Sequence, residues 1–472
     1  MKNLPAELWK WDAVDMARGI RERVVSSREV VQASLDRMAQ VNPKLNAVVV
    51  DLGPQAIADA EAADAALARD DTLGLLHGVP VSVKSNVDQR GQATSNGVVA
   101  FAKNIAQEDS PVVANLRKAG AVIVGRTNTP AFSMRWDTDN DLHGRTLNPW
   151  SAVHTPGGSS GGASASVAAG ITPIAHGNDL AGSIRYPAYC TGIVGLRPSF
   201  GRVPAFNPSA LAERSLSLQW MSVQGPLARK VADVRLALEV MAQGDFRDAW
   251  WIPAPMQWPS LGGPLRVALS IDPSATGVHP HVEAALHKAA AALSTAGYVV
   301  ERADPPEMAA VAEDWHVLMR AEAHGAMLDA VHAHGDQRVR KSLYWHMEKP
   351  PRPSADDYMA ALARRATWLR RWNTFLDRYP LVLCPVSLAP PFIHGADVST
   401  DADFNEIVRT QAPLFAVALL GLPAVSVPTG LQDGLPTGVQ IIAQRFREDL
   451  VLDAAQAIER QLPMATPVEP EF

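Results

Sequence analysis

Thr155-Pro156-Gly157-Gly158-Ser159-Ser160-Gly161-Gly162 is the densest chemical signal in the chain, and a run of small residues follows it directly. Four glycines around two serines permit close backbone approach and unusual φ/ψ values. A flexible linker is the bland alternative, but Gly-Ser linkers rarely run straight into an apolar helix. Two lookalikes fit poorly. Gly157-Gly158-Ser159-Ser160-Gly161 formally matches G-x-S-x-G, yet that elbow needs a strand before it. Asn148-Pro149-Trp150-Ser151-Ala152-Val153-His154 makes a poor strand. A phosphate loop would need a Lys-Ser or Lys-Thr pair after the glycines, and none is there.

Working outward, a second small-residue turn lies 24 residues after Ser159: Asn178-Asp179-Leu180-Ala181-Gly182-Ser183-Ile184-Arg185-Tyr186-Pro187. Ser183 alone could merely cap a helix. Upstream, Val79-Pro80-Val81-Ser82-Val83 is a short β-branched run that reads as a strand with Lys84 at its end. Two glycine-flanked serines and a strand-end lysine could form a proton relay, with lysine as base and a serine as nucleophile.

The neighbouring pattern is of strands alternating with helices. Ser26-x-x-Glu29 reads as a capping box opening an amphipathic helix through about Met38, stopped by Asn42-Pro43. A second, Ala-rich helix is expected from about Gln55 to Ala68, then a helix Pro111 to Lys118, a strand Ala121 to Val124 and a helix Ala163 to Ala169. This alternation points to a layered α/β fold. Two long helical patterns follow near 309–333 and 355–377. From Gly421 to Ile442 the chain returns to short apolar runs like buried strands. The expected organisation is a core from both ends of the chain, with an elaborated middle lying over it.

At this level of motif the sequence resembles the amidase-signature family. Lys84 follows the G-x-P-x-x-x-K pattern at Gly78 and Pro80. Further matches are Gly125-Arg126-Thr127-Asn128-Thr129-Pro130, Asn148-Pro149-Trp150, Gly192-Ile193-Val194-Gly195-Leu196-Arg197-Pro198, Gly421-Leu422-Pro423-Ala424 and Gly438-Val439-Gln440-Ile441-Ile442. They cover most of 20–240 and 378–460 and thin out between. The resemblance implies a single domain over 1–472, a mixed central β-sheet with helices on both faces, and a variable substrate region at roughly 245–377. It implies Ser183 as nucleophile, Ser159 as a bridging serine held by a cis peptide, and Lys84 as base. The backbone N–H groups of Leu180, Ala181, Gly182 and Ser183 would then cradle the oxyanion. Ser133, Met134, Arg135 and Trp136 align with a loop lining the acyl pocket. Two departures stand out: Ser85 follows the lysine where Asp is usual, and Ala181 replaces the first glycine of a usual pair.

A lysine serves as base only if its pKa falls from about 10.4 toward roughly 7–8, which takes about 4 kcal/mol of desolvation and local field. Full burial can supply a change of that size. Asp179 and Arg185 are expected to brace the nucleophile turn.

Composition narrows the function further. Of the 472 residues, 47% are apolar and 19% charged, with a formal net charge of -6, which argues against a nucleic-acid surface. Two cysteines, Cys190 and Cys384, cannot build a disulfide framework or a cysteine zinc site. Cys190 reads as a small packed residue. His332-x-His334, with His324, lacks an accompanying H-E-x-x-H motif and reads as a solvated helix face, so no metal and no cofactor are expected. Met1-Lys2-Asn3-Leu4-Pro5 runs into charged amphipathic sequence without a leader's apolar core, and no uncharged apolar stretch reaches the roughly 20 residues that span a membrane. A cytoplasmic protein is expected, with a small-molecule amide substrate and with neither nucleic-acid nor membrane partner. A homodimer is common among such enzymes.

The activity implied is hydrolysis of a carboxamide or acylamide C–N bond through a serine acyl-enzyme. Alternatives are a carbamate, ester or urea hydrolase on the same scaffold, the catalytic component of a tRNA-dependent amidotransferase, or a catalytically dead binding protein. Such amidotransferase components usually carry Gln where Tyr186 stands. Seven of the twelve tryptophans, Trp250, Trp251, Trp258, Trp315, Trp345, Trp368 and Trp372, fall between 245 and 375. Trp368, Trp372 and Phe375 recur at helical spacing, predicting an inward aromatic stripe. Together with Trp136 they predict an apolar substrate, an aryl or medium-chain acyl amide; plain core packing is the alternative for any single tryptophan.

Overall fold

The computed structural model describes residues 4–472. Met1, Lys2 and Asn3, part of the segment read for a leader, lie outside the described residues. Eleven strands make one sheet: β1 (Val48–Asp51), β2 (Pro80–Lys84), β3 (Val122–Thr127), β4 (Ile174–Asp179), β5 (Val194–Arg197), β6 (Val223–Ala228), β7 (Arg266–Leu269), β8 (Val299–Arg302), β9 (Leu381–Cys384), β10 (Ala424–Gln432) and β11 (Leu435–Ala443). Their order is β1-β3-β2-β4-β6-β5-β10-β11-β9-β7-β8. β2 runs parallel to β3 and β4, and β7 parallel to β8 and β9; the other pairs are antiparallel, so the sheet is mixed.

Strand side chains alternate between the faces of a sheet, and here each face owns a separate core. Val425, Val427, Val439, Ile441, Leu381 and Leu383 join the core that includes helices Val231–Met241, Pro280–Thr295 and Glu448–Gln461. Ala424, Ile442, Val382 and Cys384 join the opposite core, with helices Met308–Ala323, Ala355–Arg378 and Ala412–Leu420. The β10–β11 hairpin closes through Asp433-Gly434, both at positive φ (50° and 78°), the two-residue turn that matches strand twist.

Several expectations need correction. The helix opened by the Ser26–Glu29 capping box continues through Pro43 to Leu45. A proline in the last turn removes one N–H, and the Asn42 side chain holds the exit by accepting from Ala47 and Val48 N–H, each at 2.9 Å. The strand expected at 121–124 runs Val122–Thr127, carrying Arg126 and Thr127 beside Lys84. The pattern near 309–333 is two helices, Met308–Ala323 and Ala326–His334, broken at Gly325, whose φ is 108°. The middle of the chain also does more than lie over the core. Its runs Arg266–Leu269 and Val299–Arg302 extend the sheet at one edge. Among the described residues no helix is long and apolar enough to cross a membrane.

Candidate active site

β2 sets the lysine. Val81 and Val83 fall on one core, so Ser82 and Lys84 face the other way. Ser82 Oγ meets Thr172 Oγ1 at 3.1 Å and Ser166 Oγ at 3.4 Å, which seats helix Gly161–Ala168 over this face. That helix begins immediately after Ser159 and Ser160, so its packing carries both hydroxyls to the lysine. The Gly158–Ser159 peptide is cis. A side chain at Gly158 would collide with the backbone of Arg135 and Trp136 (2.5 and 2.8 Å from an ideal Cβ), so only glycine fits. No strand precedes the motif, as the nucleophile elbow would require.

Lys84 is 0% exposed. Its Nζ lies 2.7 Å from Ser159 Oγ, 3.1 Å from Ser160 Oγ and 2.7 Å from Asn178 Oδ1. All three partners are neutral oxygens. Burial pulls the Lys84 pKa well below the ordinary lysine range, opposed only by the field of Asp179. Asn178 donates its own Nδ2 to Asn86 Oδ1 at 2.9 Å, which aims its carbonyl oxygen at the lysine. The Lys84 carbonyl in turn accepts from Arg126 Nη2 at 3.2 Å.

The Ser183 turn is tied to the Ser159 turn by backbone: Ser160 N–H donates to the Ser183 carbonyl at 3.2 Å. Ser183 itself is half-buried. Beneath it, Asp179 accepts from Arg185 Nε and Nη2, both at 3.0 Å, and from Arg197 Nη1 at 3.2 Å. These groups are fully buried. Desolvation would raise the Asp179 pKa, but Arg185 and Arg197 outweigh it and hold the carboxyl well below the usual range. The expected brace is therefore a three-residue cluster. It has one consequence for the N–H groups expected to form an oxyanion cradle: Gly182 N–H donates to Asp179 Oδ1 at 2.9 Å. Of the four N–H groups named from sequence, Gly182 is thus committed, while Leu180, Ala181 and Ser183 have no acceptor among the described residues.

The loop Ser133–Trp136 divides by residue. Ser133 Oγ joins the polar chain from Lys84, accepting from Asn86 Nδ2 at 2.9 Å and donating to Asn96 Oδ1 at 2.6 Å. Met134 is half-buried against the second core. The Arg135 side chain is 0% exposed and forks onto Asp397 at 2.7 and 3.1 Å, so it braces the loop rather than facing a ligand. Trp136 packs against His346, Phe404 and Phe415, with ring centroids 5.7, 6.2 and 5.9 Å away.

Two of the seven tryptophans between 245 and 375 take the packing role. Trp368 and Trp372 are buried as the stripe predicted, but their indoles donate to Asp314 Oδ2 and the Pro306 carbonyl, which makes them core. Trp250 and Trp258 are exposed. Trp315 reaches the site: its Nε1 donates to the Leu180 carbonyl at 3.3 Å, on the turn that carries Ser183. Sequence spacing could not single it out, because that contact spans 135 residues. Asn178 and Ser160 were also missed as lysine partners, although both lie inside the stretches quoted above. Cys190 is buried, and desolvation pushes its thiol well above the usual range, so it is no second nucleophile. His332 is exposed beside Glu348 at 3.2 Å.

The fold that carries this arrangement is shared with known enzymes. The amidase family model matches residues 29–452, and the chain belongs to that family, the amidase-signature enzymes. It is an amidase, a hydrolase of amide C–N bonds. An indoleacetamide hydrolase of Bradyrhizobium diazoefficiens is 47% identical over 96% of this chain and 87% of its own length. One component of the glutamyl-tRNA(Gln) amidotransferase of Moorella thermoacetica is 31% identical over 96% of this chain and 97% of its own length. The solved structure of a bacterial aryl acylamidase superposes with a TM-score of 0.83 at 27% identity, covering 96% of each chain.

Proposed function

We propose that this amidase hydrolyses a primary arylacetamide, with indole-3-acetamide the first candidate, to the carboxylate and ammonia. The observation that carries the mechanism is a buried lysine whose contacts are all neutral oxygens. A buried ammonium without a carboxylate partner is costly, so the neutral amine is favoured and a lone pair becomes available. Neutral Lys84 donates to Asn178 Oδ1 and Ser160 Oγ and accepts the Ser159 hydroxyl proton. Ser159 takes the Ser183 proton, and Ser183 Oγ bonds to the amide carbon. Free N–H groups on the Leu180–Ser183 turn meet the developing oxyanion. The C–N bond breaks as the proton returns through Ser159 to the leaving nitrogen, giving ammonia and an acyl-enzyme. Water, deprotonated through the same relay, adds to the ester carbon and releases the acid and Ser183.

The aryl preference rests on the indoleacetamide hydrolase likeness and on the aromatic cluster that Trp315 joins to Leu180. The test is ammonia release by the purified chain alone from indole-3-acetamide, phenylacetamide, hexanamide, acetamide and urea. kcat/KM should rise with aryl size, each buried methylene adding about 0.8 kcal/mol. Preference for acetamide or urea would overturn the substrate assignment, and ammonia release only with an added partner protein would favour the amidotransferase reading.

A further inference from the structure

His316 and His346 face each other inside the aromatic cluster: His316 Nδ1 and His346 Nε2 are 3.1 Å apart. His316 lies on the same helix as Trp315, and His346 on the π-helical turn Tyr344–Glu348, a winding seen often at functional sites. Trp315 stacks on His346 at 5.7 Å and 23°, and Phe415 lies 4.5 Å from His316. The cluster meets the nucleophile turn twice, through Trp315 on Leu180 and through Leu414, next to Phe415, which packs against Gly182. Both imidazoles are half-buried. Their outer nitrogens, His316 Nε2 and His346 Nδ1, have no protein partner among the described residues, yet neither is sealed away.

We infer that His316 and His346 form the polar end of the aryl site, where the pair accepts a hydrogen bond from a ring N–H of the substrate. This rests on the arylacetamide reading above and adds the feature that selects among aryl groups. Neutral imidazole carries one donor and one acceptor. Whichever nitrogen donates across the 3.1 Å contact, the pair then presents one outer donor and one outer acceptor. Burial, the neighbouring His346 and Arg320 hold the His316 pKa well below its usual value, and burial with Arg320 brings His346 to about 3, so the acceptor is kept. A fused ring bearing N–H would satisfy that acceptor. An isostere without N–H would bury it unpaired, which costs more than the bond itself gains.

The test compares indole-3-acetamide with benzofuran-3-acetamide, which replaces the ring N–H by oxygen at nearly constant shape. The wild-type protein should favour the indole by about tenfold or more in kcat/KM. In His316→Phe and His346→Phe the preference should fall to within about twofold of unity, chiefly through a rise in KM for the indole. His346→Gln, which retains an acceptor, should keep part of the preference and serves if the Phe variants do not fold. An equal wild-type rate on both substrates, or a preference unchanged in the folded variants, would overturn the pair's role alone. No turnover of either amide by wild-type protein would overturn the arylacetamide reading and the pair with it.

Discussion

Lys84 Nζ and Asn178 Oδ1 sit 2.7 Å apart, a buried amine held by a neutral amide oxygen where an ion pair would be the usual solution. That choice of partner decides the chemistry open to the lysine. A carboxylate at the same distance would stabilise the ammonium and remove the base; an amide fixes the nitrogen's position and leaves burial free to lower its pKa.

Replacing the amide by a carboxylate tests this directly. Asn178→Asp should raise the Lys84 pKa by placing a carboxylate against the ammonium, and so move the acidic limb of the kcat/KM profile to higher pH. At pH 7 the variant should be slow and should recover activity in alkali. A profile that keeps its acidic limb in place would remove Asn178 from this role.

Lys84→Met should lose about 10²–10⁴-fold in acylation rate, and Lys84→Arg should be nearly as poor, since a guanidinium cannot deprotonate in a protein. Stability should move the other way. Because the folded pKa of Lys84 lies below the unfolded value of about 10.4, the unfolded chain binds more protons between the two. Wild-type stability therefore rises with pH across that window, and the Met variant should lack this slope. Denaturant melts of both proteins at pH 6 to 10 measure it, and parallel curves would mean the lysine is charged in the fold.

Arg185→Gln should destabilise by about 3–5 kcal/mol, because it leaves the buried Asp179 carboxylate with a single cation, Arg197. In wild type the lowered Asp179 pKa contributes stability that is fully present above the unfolded carboxylate value of about 3.9 and lost as pH falls through the folded one. The variant should show a smaller acid-linked loss below pH 4. Urea titrations at pH 3 and pH 7 check both statements.

Much of this arrangement was legible in the sequence because its signals are local. The capping box at Ser26 and Glu29, the strand end at Lys84 and the two Gly-Ser turns each lie within a few residues, and the structure places them accordingly. The apolar runs expected from Gly421 to Ile442 form β10 and β11, joined by the Asp433-Gly434 turn. What could not be read is set by distance along the chain. Arg135 looks like a free cation in a pocket loop until Asp397, 262 residues on, supplies its partner. Trp368 and Trp372 satisfy a helical stripe whether they face a ligand or another helix, and only Asp314 and Pro306 distinguish the two. Gly182's commitment to Asp179 is a backbone detail that spacing does not carry.

The central claim is that Ser183 attacks while Ser159 relays the proton, and mapping the acyl-enzyme measures it most directly. The chain should be quenched in acid during turnover, or labelled with a fluorophosphonate, then digested and sequenced by mass spectrometry. A single adduct on the Ser183 hydroxyl is expected, abolished in Ser183→Ala and much slower to form in Ser159→Ala. An adduct on Ser159 that persists in Ser183→Ala would contradict the claim and exchange the two roles.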